Sequence, residues 1–173
     1  METGDSDVLR PELLAAMLAL GLLKGRIAES IPMSAAWWIV EGIDSVEVTR
    51  LAGLSGTDTY EVRDVLRSAL DAMGIEIPSS AVAVPVVFDE LARRYLAGLS
   101  NERSVVSDVE QIYIDSGYLD EVSNQPLGKT YGLDDEWGAG WGRTDTEIIA
   151  EVKALCEEQI RYGEPNQTQT REL

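Results

Sequence analysis

From Asp58 to Gly74 the sequence spells out one complete helix, and that segment constrains the fold of the chain more than any other. Tyr60, Val62, Val65, Leu66, Ala69, Leu70 and Met73 recur at the three-four spacing of a helix with one apolar face. Asp58 with Glu61 forms a capping-box pattern at its start, and Gly74 suits the left-handed residue that closes it. Strands need alternation, and one short stretch offers it: Val82, Val84 and Val86 alternate, but Pro85 between them argues against a central strand. A Ser80 cap or extended lead-in to a helix over Pro85–Leu96, closed by Gly98, is the preferred reading there.

The same punctuation organises the rest. A first helix is expected from Pro11 to Glu29, ended by Ile31-Pro32. Ser34 then caps a short helix through Trp37, Trp38 and Val40 that closes at Gly42, and Asp44 with Glu47 opens another over Val46–Leu51. Further helices are expected over Ser104–Asp115 and, behind a Thr144/Glu147 capping box, over Asp145–Arg161 up to Gly163. A long loop, Ser116–Arg143, separates them. The expectation is an all-α chain: an irregular bundle of about six to seven helices with one long Gly/Trp-rich loop. It forms a single helical domain over residues 1–163, followed by a disordered polar tail at 164–173.

Several function classes fall away on composition. The chain contains no histidine, so Ser-His-Asp and Cys-His catalysis and His-containing zinc sites are excluded. Its one cysteine, Cys156, lies at an apolar helical spacing beside Glu157 and Glu158, where a thiol is a small buried hydrophobe rather than a nucleophile. Residues 13–23 (LLAAMLALGLL) are apolar but shorter than the ~20 residues a bilayer requires, and acids precede them where a secretory leader needs bases. They read as a core helix of a soluble, cytoplasmic protein with no membrane contact.

Thirty-one acids against fourteen bases give a net charge of −17. Such a surface repels nucleic acid and attracts basic proteins, and it equally serves plain solubility, the simpler reading of the charge. Residues 48–74 do have the outline of a helix-turn-helix, yet the second helix begins Thr57-Asp58-Thr59-Tyr60-Glu61, placing carboxylates where phosphate contacts belong. It reads as a structural helix pair. Trp37 and Trp38 are adjacent, hence about 100° apart on a helix, so at most one can face the deepest core. Packing of both rings into the core is the preferred reading; the alternative is that the second lines a groove or a partner surface.

The segment 126–143 (PLGKTYGLDDEWGAGWGR) departs most from the rest. It combines five glycines with Tyr131, Trp137 and Trp141 and the acid run Asp134-Asp135-Glu136. Three readings are open: a loop pinned by its own aromatics, a partner-binding surface with aromatic anchors and an acidic rim, or a carboxylate site for a divalent metal or for catalysis. Consecutive carboxylates do not match the alternating ligands of an EF-hand, and no phosphate-loop pattern is present. No metal and no cofactor are therefore expected. Residues 101–173 hold sixteen of the acids and six of the bases, which places most of the excess charge in the half that contains this loop.

The stretch Trp38…Asp44–Leu54 with Glu61–Leu66, and the later Asp135-Glu136-Trp137, resembles a family of small actinobacterial acidic helical proteins. That resemblance covers about half the chain, implies a helical fold and carries no assigned activity. The leading functional expectation is a non-enzymatic module that binds a basic protein, such as an immunity or inhibitor protein for a toxin or nuclease, through Tyr131, Asp134, Asp135, Glu136, Trp137 and Trp141. Alternatives are a small-ligand or enzymatic protein built on the 126–143 loop, and a helical accessory or scaffold subunit.

Overall fold

The computed structural model describes residues 8–168. Among the described residues there are nine α-helices, one 3-10 turn and no strand. The chain separates after Ser79 into two compact units, where the sequence pattern suggests one domain.

The first unit contains α1 (Pro11–Ala19), α2 (Gly25–Val40), α3 (Val46–Ala52) and α4 (Thr59–Ala72). Helices α2, α3 and α4 pack on one another, and α1 packs on α4. Leu14, Leu23, Ile31, Trp38, Leu51, Leu66 and Leu70 form the centre of the core. Helix α4 realises the pattern that predicts it: Asp58 accepts from the amides of Tyr60 and Glu61, and Val62, Val65, Leu66, Ala69 and Leu70 are buried.

The first expected helix is really two half-helices belonging to different elements. Gly21 adopts φ +70°, and the amides of Gly21 and Leu22 donate to the carbonyls of Leu18 and Met17, the paired bonds of a Schellman cap. Helix α2 then starts at Gly25 and runs straight through Pro32, the residue expected to stop it. An interior proline costs about 3 kcal/mol. Burying Trp38, roughly 200 Å² at about 25 cal/mol per Å², returns about 5 kcal/mol, and Ile31 adds about 2. Packing of the Ala28-Ile31-Ala35-Trp38 face therefore outweighs the lost bond. The cap of α3 is displaced by one residue: Ser45, not Asp44, accepts from the Val48 amide at 3.1 Å.

The second unit contains α5 (Ser80–Leu96), α6 (Glu102–Asp115), α7 (Asp120–Ser123), the 3-10 turn Leu127–Thr130, α8 (Leu133–Glu136) and α9 (Asp145–Thr168). Helices α5, α6 and α9 pack on one another, and the 3-10 turn lies against α6 and α9. Helix α5 includes the ambiguous valines and carries Pro85 in its interior. Thr144 and Glu147 make the reciprocal capping box at the start of α9. Gly163 does not end α9; a Cβ there would press into the Asp89 carboxylate, so its role is close approach between α9 and α5. Of the tail expected over 164–173, residues 164–168 continue α9, and 169–173 lie outside the described residues.

No helix among the described residues is long and apolar enough to cross a membrane. Cys156 is fully buried, and burial pushes its thiol up to about 12, with Glu157 adding to the effect.

Candidate functional site

The expected long loop contains three short helical turns, and each brings specific tethers. In the 3-10 turn, the Leu127 amide donates to Gln159 Oε1 at 3.2 Å and the Thr130 hydroxyl donates to the Leu127 carbonyl at 2.9 Å. Both Gln159 and Thr130 are fully buried. Tyr131 then stacks edge-on against Tyr113 of α6, ring centroids 4.7 Å apart, and Tyr113 meets Tyr118 in the same way at 5.2 Å. Buried Leu133 anchors α8. These contacts hold the segment on the second unit with ordinary packing forces, each edge-on aromatic pair being worth about 1 kcal/mol.

Beyond α8 the loop closes through charge. Glu136 Oε1 pairs with Arg143 Nη1 at 2.6 Å, while Glu136 Oε2 accepts from the Arg143 amide at 2.8 Å. Arg143 Nε also reaches Glu151 of α9 at 2.6 Å. The Arg143 amide, followed by its guanidinium, holds the Glu136 carboxyl below the ordinary carboxylate range. Gly142 (φ +74°) permits this closure, because a Cβ there would lie 2.6 Å from Glu136 Oε2. The Gly138 amide donates to Asp145 Oδ1 at 3.1 Å, tying the turn to the base of α9. The Arg103 guanidinium lies over the Trp137 ring, 4.6 Å from its centroid.

The six candidate residues thus divide. Glu136 and Trp137 are used inside the protein, one by Arg143 and the other by Arg103. Tyr131 is packed on one edge by Tyr113 and remains 44% exposed. Asp134, Asp135 and Trp141 point outward, with Trp141 61% exposed. Among the described residues, no group of three or more Asp, Glu or Cys side chains is placed to hold a metal ion. A surface depression of about 740 Å³ lies in the first unit, lined by Arg67, Asp71, Glu76 and Ile77 among others, and no loop residue borders it.

The tryptophan pair of α2 does not pack into the core together, because adjacent helical positions diverge by about 100°. Trp38 is buried, its indole N–H donating to the Leu9 carbonyl at 3.0 Å, whereas Trp37 is 42% exposed. Met33 and Val40, on the Trp37 side of the helix, are also exposed, and sequence reasoning does not single them out. The 33/37/40 spacing is present in the sequence, but it forms one face only in a helix that continues through Pro32. No protein-family model, curated protein or solved structure matches the chain.

Proposed function

We propose that this chain is a cytoplasmic, non-enzymatic protein-binding module that takes a basic surface of another protein against the loop at residues 131–141. The observation that carries this reading is Trp141, 61% exposed on a loop that is otherwise tied down and flanked by the uncommitted carboxylates Asp134 and Asp135. An exposed large aromatic is a common anchor in interfaces. Closure by Glu136 and Arg143 lowers the ordering cost that a free loop would meet on binding. The net charge of −17 speeds encounter with a cationic partner. Carboxylates also occupy positions meant for phosphates, which suits an inhibitor or immunity protein that blocks a nucleic-acid enzyme.

The test is affinity capture from native lysate with the wild type and with a Trp141→Ala/Asp134→Asn/Asp135→Asn variant. A basic protein should be retained at about 50 mM salt and released at about 500 mM, where the Debye length falls below about 5 Å. The triple variant should fail to retain it. Equal capture by the variant, or retention of no basic protein at low salt, removes the reading.

A further inference from the structure

Helix α2 has two apolar faces, and the core uses only one. Ala28, Ile31, Ala35 and Trp38 are buried in the first unit. Met33, Trp37 and Val40 are 65%, 42% and 75% exposed. At about 100° per residue these three fall within roughly 60° of one another, so they form a single seam about two turns long. Spacing of i, i+4 and i+7 is that of the anchors by which one helix lies along another.

From Glu29 onward the charges around the seam are of one sign. Glu29 precedes it, and Glu41, Asp44 and Glu47 follow it, with no base between residues 29 and 47. Arg26, two turns before Met33 and on the same face, is the only base on α2, so the acidic end of the seam is its Val40 end. The last turn of α2 carries no basic residue, so the negative end of its dipole is reinforced by Glu41 rather than neutralised.

We propose that this face docks an amphipathic helix of another protein, with an apolar seam set on Met33, Trp37 and Val40 and Lys or Arg residues at the end lying over Glu41 and Asp44. Two other occupants fit less well. The chain outside the described residues reads METGDSD at one end and QTREL at the other, with no apolar seam to offer. A second copy of this chain gains little from charge: the antiparallel register that places Met33 on Trp37 sets Glu29 opposite Glu41 at both ends, which offsets the Arg26–Asp44 pairing that the same register brings. Its own −17 adds long-range repulsion. The docking face shares no residue with the 131–141 loop and does not depend on that reading.

The test uses the full chain and a synthetic amphipathic peptide of roughly 18 residues, about five helical turns, with a leucine seam and flanking lysines. A scrambled peptide of equal charge lacks the seam. At about 150 mM salt, where exposed charges beyond about 8 Å are screened, the patterned peptide should bind saturably and the scrambled one at least about tenfold more weakly. Met33→Lys/Val40→Lys should lose about tenfold or more, with circular dichroism confirming an intact helical fold, since both side chains are exposed. Trp141→Ala should bind as the wild type does, which separates this face from the loop. The proposal is overturned if the patterned peptide does not bind, if the scramble binds equally, or if Met33→Lys/Val40→Lys is without effect. It is likewise overturned if the wild type is a dimer that this variant dissolves, because the occupant is then a second copy.

Discussion

Among the described residues of the first unit, Ser34 is the buried polar side chain in an otherwise apolar core, whereas the second unit buries Asp89, Gln125, Thr130 and Gln159. The difference follows from how each unit satisfies its backbone. Residues 8–79 are mostly regular helix with short connections closed largely by backbone hydrogen bonds, so amides and carbonyls are paired locally and the core needs only shape. Residues 116–144 hold only four-residue turns, which leave many backbone groups without helical partners. Side chains supply what the helices do not. Gln159 accepts from the Leu127 amide and donates to Asp89 Oδ1 at 2.8 Å and to Gln125 Oε1 at 3.0 Å. Among the described residues, no buried side-chain nitrogen or oxygen lacks a partner. A loop with little regular structure is thus ordered by a buried polar network on the helix beside it.

The largest loss of stability is expected in the apolar unit. Trp38→Ala removes the largest buried side chain and its bond to the Leu9 carbonyl, and should cost about 3–5 kcal/mol in urea unfolding. A loss below about 1 kcal/mol would show that the first-unit core is not packed around Trp38. In the polar unit Gln159→Leu keeps volume but strands the Leu127 amide, Asp89 and Gln125. At about 1–3 kcal/mol per stranded group it should cost roughly 3 kcal/mol, although the change is to a more apolar residue. An apolar substitution of similar size at a first-unit core position, Leu66→Ile, should cost less than about 1.5 kcal/mol. If both are equally mild, the two cores do not differ.

Asp89 sharpens the contrast through pH. Burial raises its carboxyl above the ordinary 3.8, and the Gln159 bond and Arg93 offset this only in part. The folded state therefore holds this proton more firmly than the unfolded chain does. Its contribution to stability is complete below the unfolded value and is lost as pH rises through the folded one. Asp89→Asn, which retains an acceptor for Gln159, should remove that decline: the melting temperature of the variant relative to wild type should rise between about pH 4 and pH 7. A flat difference curve would contradict the assignment. The smallest effect belongs to Arg103→Ala, which removes an exposed guanidinium from the Trp137 ring and should cost about 0.5–1 kcal/mol. A matching gain in Trp137 quenching by acrylamide would show the ring released.

Residues 58–74 show how far local pattern carries. The cap, the apolar positions and the closing glycine of α4 are all where the spacing predicts them, because each depends on neighbours within one or two turns. The Thr144/Glu147 box is legible for the same reason. Pro32 shows where pattern stops. Its cost is local and visible, but the burial of Ile31 and Trp38 that offsets it is supplied by α3 and α4. Glu136 and Trp137 mark a parallel limit at the candidate site. Their residue types suggest a binding surface, but Arg143 and Arg103 occupy them, and one of those partners lies more than thirty residues away in sequence.

Sequence by itself determined that the chain is helical, that Trp37 and Trp38 cannot both face the deepest core, and that histidine chemistry is absent, since these follow from periodicity, helix geometry and composition. Tertiary structure decided which tryptophan is buried, which carboxylates of the 134–136 run remain free, and which glycine serves as a close contact rather than a cap. Those outcomes turn on side chains brought together from distant parts of the chain, where burial and pairing outweigh the preferences of any local stretch.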